Sequence, residues 1–186
     1  MSKRPDINLH SFNGPADNGR TVDYLPAVIK PGDHIADTIK CSTGLANFRL
    51  QLGTVYTGYE DALDVNNLCR DLDIEAARWV FPEGRAAIGF TIKGGSRNVR
   101  VSGWVQGDPL VDIGNASDQS NEPTTGVRLN LRREDGKPIR VRVLNGAMPT
   151  LEPGSGPYRY VFPWRFRLLQ AAAIRTFLLL RKVLPL

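Results

Sequence analysis

The sequence predicts an all-β fold: a short parallel β-solenoid of three to four coils spanning residues 32–147. The first observation is a pair of short alternating runs, at 90–92 and 99–101, that flank a glycine turn. The second is the same strand–turn–strand pattern about 27 residues earlier, a period within the range of solenoid repeats. The third is composition, because 18 Gly and 13 Pro favour many turns over long helices.

In each run, alternation assigns successive residues to opposite faces. The inward residues of the clearest coil are Phe90, Ile92, Val99 and Val101, and the outward ones are Thr91, Lys93 and Arg100. One coil cannot bury its apolar side alone, so neighbouring coils are expected to stack like residues into a shared column. The stacking predicts that Asp73 lies over Arg100 as an opposite-charge pair.

Two further copies of the pattern extend the predicted stack. In the earlier copy, 38–40 matches 91–93 and 48–50 matches 99–101. In the later and looser copy, 127–131 and 139–143 flank a turn at 134–137. Both glycine turns are also hairpin signals, so the alternative is a β-sandwich built from hairpins. A common offset for both strands and the turn favours the solenoid.

The remaining segments have different compositions. Residues 1–31 have turn signals and a single apolar run, which predicts an extended N-terminal arm. Residues 148–163 are rich in Pro and Gly and are predicted to be a linker without regular structure. Residues 164–186 have the period of an α-helix.

The predicted C-terminal helix is amphipathic and basic. Its apolar face, a docking surface for a partner or a membrane, comprises Trp164, Phe166, Leu169, Ala173, Phe177, Leu180 and Leu184. Its basic face includes Arg167, Arg175, Arg181 and Lys182. Docking on a protein, self-association and lying on an anionic lipid surface all suit this pattern. Spanning a bilayer suits it least, because Arg175 would lie near the middle.

The charge and the rare residues restrict the chemistry. The formal net charge is +5, and the C-terminal helix carries five basic residues and no acid, so the remainder is neutral. Only two His and two Cys are present, and no metal-ligand spacing or phosphate loop occurs. We therefore expect a non-enzymatic protein without cofactor or metal, in which Cys41 and Cys69 are reduced. A weaker alternative is calcium held by the outward Asp64 and Asp73, with Arg100 nearby.

A second expected surface is an anionic-partner patch formed by Arg128, Arg140 and Arg142, which alternation places outward. The competing interpretation is a solvated face balanced by neighbouring acids. Aromatic residues do not interleave with these arginines, so we expect no specific nucleic-acid recognition.

The stretch 63–143 resembles right-handed parallel β-helix proteins of the pectin-lyase-like group, which includes many bacteriophage tailspike and virion proteins. The resemblance rests on the coil pattern and carries over no catalytic residue. It implies a structural or assembly protein of a bacteriophage virion, made in the host cytoplasm and attached to other structural proteins through its termini. The alternatives are a carbohydrate-binding or carbohydrate-cleaving β-helix that uses the loop 114–125 and the Asp/Arg ladder, and an assembly factor on a membrane surface.

Overall fold

The structure, a computed structural model, describes residues 6–8 (backbone only), 11–30, 37–57, 61–82, 89–114 and 122–161. These residues form a parallel β-solenoid with two seven-stranded sheets. Sheet A contains, in order, β1 (Asp6–Asn8), β3 (Thr21–Lys30), β5 (Ala46–Tyr56), β7 (Arg70–Val80), β9 (Arg97–Gln106), β11 (Arg128–Arg133) and β13 (Thr150–Leu151). Sheet B contains, in order, β2 (Ser11–Asn13), β4 (Asp37–Ser42), β6 (Asp61–Val65), β8 (Phe90–Ile92), β10 (Leu110–Ile113), β12 (Ile139–Val143) and β14 (Tyr158–Tyr160).

Successive strands alternate between the two sheets, and every strand pairing in the described residues is parallel. The predicted solenoid is therefore confirmed and the β-sandwich of hairpins is wrong. The four turns β4–β5, β6–β7, β8–β9 and β10–β11 form the main stack, as predicted. Shorter strands continue both sheets at either end.

The central alignments are also confirmed. Residues 63–65 lie opposite β8, and 72–74 lie opposite 99–101. Asp73 lies opposite Arg100, whose Nη1 is 2.9 Å from the Asp73 carboxylate. The predicted inward residues of this coil are all fully buried. One charge pair and one apolar column thus fix the register, because a one-residue slip would exchange the two faces.

In the earlier copy, 48–50 lies in the columns of 99–101 as predicted, whereas the first strand is shifted by two residues from the predicted alignment. Lys40 lies opposite Asp64, and Asp64 lies opposite Thr91, so Cys41 rather than Ile39 occupies the column of Ile92. A shift of two preserves the inward and outward faces. The prediction aligned the identical residues Thr-Ile-Lys at 38–40 and 91–93. In the structure, the alignment of β4 instead follows the distance of the strand from the turn that comes after it.

The later copy is also aligned differently from the prediction. Leu129 lies opposite Val101 in sheet A, and 139–143 continues the column of β10 in sheet B. The turn at 134–137 therefore joins two coils instead of lying within one. The strand that truly corresponds to β8 is β10, which precedes the loop 114–125.

Strands also occur in the segments predicted to be an arm and a linker. In β3, Pro26 falls where the pairing with β5 shifts register between Tyr24 and Val28, the kind of irregularity that tolerates a proline. Gly53 lies beside it, and a Cβ there would be 2.1 Å from the carbonyl oxygen of Ala27. The prolines at 149, 153 and 157 fall outside the short strands β13 and β14.

The core bends after Ala76, where the β7–β9 register shifts, and Trp79 fills the bend. Its indole is fully buried, donates its N–H to the Ser102 carbonyl oxygen at 2.9 Å and meets the Phe90 ring edge-on at 5.1 Å. Gly103 lies beneath it at φ 135°, and a Cβ there would be 2.1 Å from the Ala76 carbonyl oxygen.

Tyr158 closes part of the C-terminal edge of sheet A. Its hydroxyl accepts a hydrogen bond from the Leu131 N–H at 2.9 Å and donates one to the Leu131 carbonyl oxygen at 3.1 Å. Because β13 covers only two residues of β11, the phenol supplies the Leu131 N–H with the acceptor that a longer strand would provide, while the Leu131 carbonyl oxygen also accepts from the Gly156 N–H at 2.9 Å. Burial raises the pKa of Tyr158 to about 12.

Candidate functional site: a groove on the outer face of sheet A

The outer face of sheet A carries a charge ladder across several coils. Arg100 lies at its centre, 2.9 Å from Asp73 and 2.9 Å from Glu152. Arg49 reaches Asp73 from the other side at 3.6 Å. Burial lowers the pKa of Arg100, but the two carboxylates outweigh it and the net shift is upward. The guanidinium is thus held in a fixed position.

Beside this ladder lies a shallow cavity of about 310 Å³, which we call the Trp104 groove. Strands β7, β9 and β11 build it from neighbouring coils. The side chains that line it and could contact a ligand are Glu75, Arg100, Ser102, Trp104, Asn130 and Arg132. They converge because their strands are paired in register, with Trp104 opposite Arg132 and Ser102 opposite Asn130.

Trp104 is the prominent side chain of the groove, with 47% of its surface exposed. The Arg132 guanidinium lies over its ring, 5.1 Å from the centroid, and donates a hydrogen bond to the Gly154 carbonyl oxygen. Such cation–π contacts hold an aromatic ring in place while leaving its remaining surface open. Trp104 faces outward because it continues the outward series of Arg100 and Ser102 along β9.

The outer face of sheet B has a separate charge cluster. Asp64 lies between Lys40 at 3.8 Å and Lys93 at 3.6 Å, and its carboxylate accepts a hydrogen bond from Asn66 at 2.6 Å. Asp64 therefore belongs to a different sheet from Asp73 and Arg100, and the structure does not bring the three together as a calcium site. Within the described residues, no group of three or more His, Cys, Asp or Glu is placed to hold a metal ion.

Asp61, at the start of β6, is buried and one of its carboxylate oxygens has no hydrogen-bond partner. Burial raises its pKa from 3.8 to about 7, and the nearby Thr91 hydroxyl has a smaller, lowering effect on that pKa. The carboxylates of Asp37 and Asp64 add smaller upward shifts, and Lys93 opposes them. Asp61 is thus a weak point in an otherwise well-packed strand.

The predicted arginine patch is divided between the two sheets. Arg128 is exposed on β11 in sheet A, whereas Arg140 and Arg142 are on β12 in sheet B. The Arg142 fork binds both oxygens of the fully buried Asp112, at 3.0 and 2.5 Å. Arg140 donates to the backbone oxygen of Asp108 at 2.9 Å. The structure does not bring these arginines together, because the turn at 134–137 carries the chain from one sheet to the other.

Both cysteines are buried free thiols. Burial raises the pKa of Cys41 well above its usual value and that of Cys69 to about 11, so neither is disposed to form a reactive thiolate. The predicted docking helix, 164–186, lies outside the described residues. Among the residues described, no helix is long and apolar enough to cross a membrane.

Comparisons with family models, with curated proteins and with solved structures returned no match. The fold therefore rests on the strand pairing alone. The groove itself was not predicted, and its residues Glu75, Trp104, Asn130 and Arg132 were not singled out. An available signal was Trp104, an aromatic residue in an outward position of an otherwise polar column.

Proposed function

We propose that this chain is a non-enzymatic structural protein of a larger assembly, attached through its termini, with the C-terminal end of the coil stack as the main contact. The observation that carries the proposal is the apolar surface of the last coils. Leu144, Met148 and Leu151 are 37%, 54% and 40% exposed. Their exposure in the last described coils makes this end of the stack the candidate contact surface.

The strands at this end support the same conclusion. β13 and β14 are the last strands of their sheets in the part of the chain that the structure describes. A solenoid end exposes backbone N–H and C=O groups that a partner's strand or loop can satisfy. The chain then continues into the basic, amphipathic stretch 164–186, which supplies a second contact with a partner.

The finer proposal is that the assembly is a bacteriophage virion. It rests on the resemblance of the coil pattern to β-helix proteins of phage particles, which is an argument by analogy. A short, fully packed coil stack with attachment surfaces at its end suits a component that fills or decorates a particle.

The direct test is quantitative mass spectrometry of particles purified from the source. We expect the protein at a fixed copy number relative to the major structural protein. In the variant Met148→Asp/Leu151→Asp, incorporation should fall at least about tenfold, because two charges would be desolvated at the contact. Leu68→Asp is the matched control: Leu68 is 50% exposed, lies in the turn before β7 in the middle of the stack and should leave incorporation unchanged.

Absence of the protein from purified particles would refute the virion proposal. Liposome flotation separates the remaining alternatives. If the full-length chain floats with anionic vesicles at low salt and not at high salt, the C-terminal segment contacts lipid, as in a membrane-surface assembly factor. If it does not float, the contact is with protein.

A further inference from the structure

We propose that the Trp104 groove is a binding site for uncharged hexose units of a glycan. The site is distinct from the proposed contact surface, because Leu144, Met148 and Leu151 do not line it. It is a binding site and not a site of bond cleavage.

The first argument is the aromatic platform. Trp104 is half exposed and held by Arg132 at 5.1 Å from its centroid. A pyranose ring has an apolar face of C–H groups, and a fixed indole offers it contact area at little cost in side-chain entropy. Of the two other tryptophans in the chain, Trp79 is fully buried and cannot serve in this way.

The second argument is the set of polar groups around the platform. Glu75 presents a carboxylate that accepts from hydroxyl groups, and Asn130 presents an amide that both donates and accepts. Arg100 and Arg132 are held by their partners, so their remaining N–H groups are positioned before a ligand arrives. Donors and acceptors that alternate around a flat apolar surface match the hydroxyl pattern of a sugar ring.

The third argument is charge. The guanidinium groups of the groove and its ladder, on Arg49, Arg100 and Arg132, are matched by three carboxylates, on Asp73, Glu75 and Glu152. The local charge is thus about neutral, and Asp73 and Glu152 already neutralise Arg100. An acidic saccharide gains no net attraction here and would be repelled by Glu75. A neutral saccharide avoids that cost.

The fourth argument is size. At about 310 Å³ the groove lies at the small end of ligand pockets. It is also open to solvent along the face of the sheet. A short stretch of about one or two sugar rings fits this space, with the rest of a chain extending along the coils.

The test is titration of the full-length protein with neutral oligosaccharides of glucose, galactose, mannose and N-acetylglucosamine, with oligogalacturonate as the acidic comparison. Binding is followed by calorimetry and by tryptophan fluorescence. We expect at least one neutral series to bind, with an affinity that is unchanged by added salt. Trp104→Ala should weaken binding about tenfold or more, and Trp104→Phe should retain part of it.

Tyr56→Ala is the matched control, because Tyr56 is 41% exposed on sheet A but does not line the groove. It should leave binding unchanged. Unaltered circular dichroism and thermal midpoint establish that each variant is folded. Three outcomes would overturn the proposal: no binding of any neutral series, binding that persists in Trp104→Ala, or salt-sensitive binding of oligogalacturonate alone.

Discussion

Arg142 allows a test of whether an arginine of the predicted patch stabilises the fold or is available to a partner. The proposed change is Arg142→Met, which keeps most of the stem of the side chain and removes the charge. In the native protein the fork of Arg142 binds both oxygens of Asp112, at 3.0 and 2.5 Å. The Asp112 side chain is completely buried, whereas that of Arg142 is 30% exposed.

The magnitude follows from what the substitution leaves behind. Removing one partner of a buried ion pair costs about 3–5 kcal/mol, since the other charge remains desolvated. Arg142 keeps some contact with solvent, and water that enters after its removal recovers part of this energy. We therefore expect a loss of about 3 kcal/mol in the free energy of unfolding at pH 7.

The assay is urea unfolding at 25 °C, followed by circular dichroism. The double variant Asp112→Asn/Arg142→Met should be more stable than Arg142→Met alone, because no buried charge remains. Arg128→Met is the control: Arg128 is an exposed arginine on β11, and its loss should change stability by less than about 0.5 kcal/mol. If Arg142→Met were as stable as Arg128→Met, the Arg142 contact would contribute nothing to the fold and the reasoning would fail.

Three further predictions concern single residues, each measured by urea unfolding. Asp61→Asn should remove a pH dependence of stability. Because burial raises the pKa of Asp61 from 3.8 to about 7, the free energy of unfolding of the native protein should fall by a few kcal/mol as the pH rises from about 4 to 7, and that of the variant should not. Equal slopes in both proteins would contradict this. Leu68→Gly should stabilise by about 0.5–1 kcal/mol, because Leu68 is exposed at φ 62° and glycine adopts that conformation without strain; a less stable variant would count against it. Tyr158→Phe should cost about 1–3 kcal/mol by leaving the Leu131 N–H unpaired, while the Leu131 carbonyl oxygen keeps its bond from the Gly156 N–H; Tyr160→Phe, the control, should cost less, and similar losses would show that the hydroxyl of Tyr158 is unimportant.

The central coils could be predicted from sequence because one physical rule dominates there. Apolar side chains at alternate positions must be buried, and Phe90, Ile92, Val99 and Val101 are buried as expected. The Asp73–Arg100 pair then fixes how neighbouring coils align. Both signals are local within a coil and repeat from one coil to the next, so they can be read without knowledge of the whole fold.

The extent of the stack was harder to predict, since the patterns that mark a coil weaken at its ends. Pro26 lies within β3 only because the register shifts around it, and that shift depends on Gly53 in the next coil. β13 and β14 are too short to show alternation. A segment rich in Pro and Gly can therefore form a turn of the solenoid as readily as a linker.

The groove and the divided arginine patch escaped prediction for a related reason. Alternation states whether a side chain points inward or outward, but it does not state which sheet a strand joins. Arg128 and Arg142 look equivalent in sequence, yet they lie on different sheets. Alternation places Trp104 outward on β9, but it does not show that Asn130 and Arg132 of the next coil lie beside it.

The hydroxyl group of Tyr158 has a consequence for how long such a protein can become. A parallel stack has no intrinsic length, because each added strand offers the next one the same template, which is how fibrils elongate. At Leu131 the phenol accepts from the N–H, and the carbonyl oxygen accepts from both the phenol and the Gly156 N–H, so an incoming chain finds neither a free donor nor a free acceptor there. Growth at this position is thus stopped by groups that belong to the chain itself. A phenylalanine at position 158 would free the Leu131 N–H, the donor that only the phenol occupies.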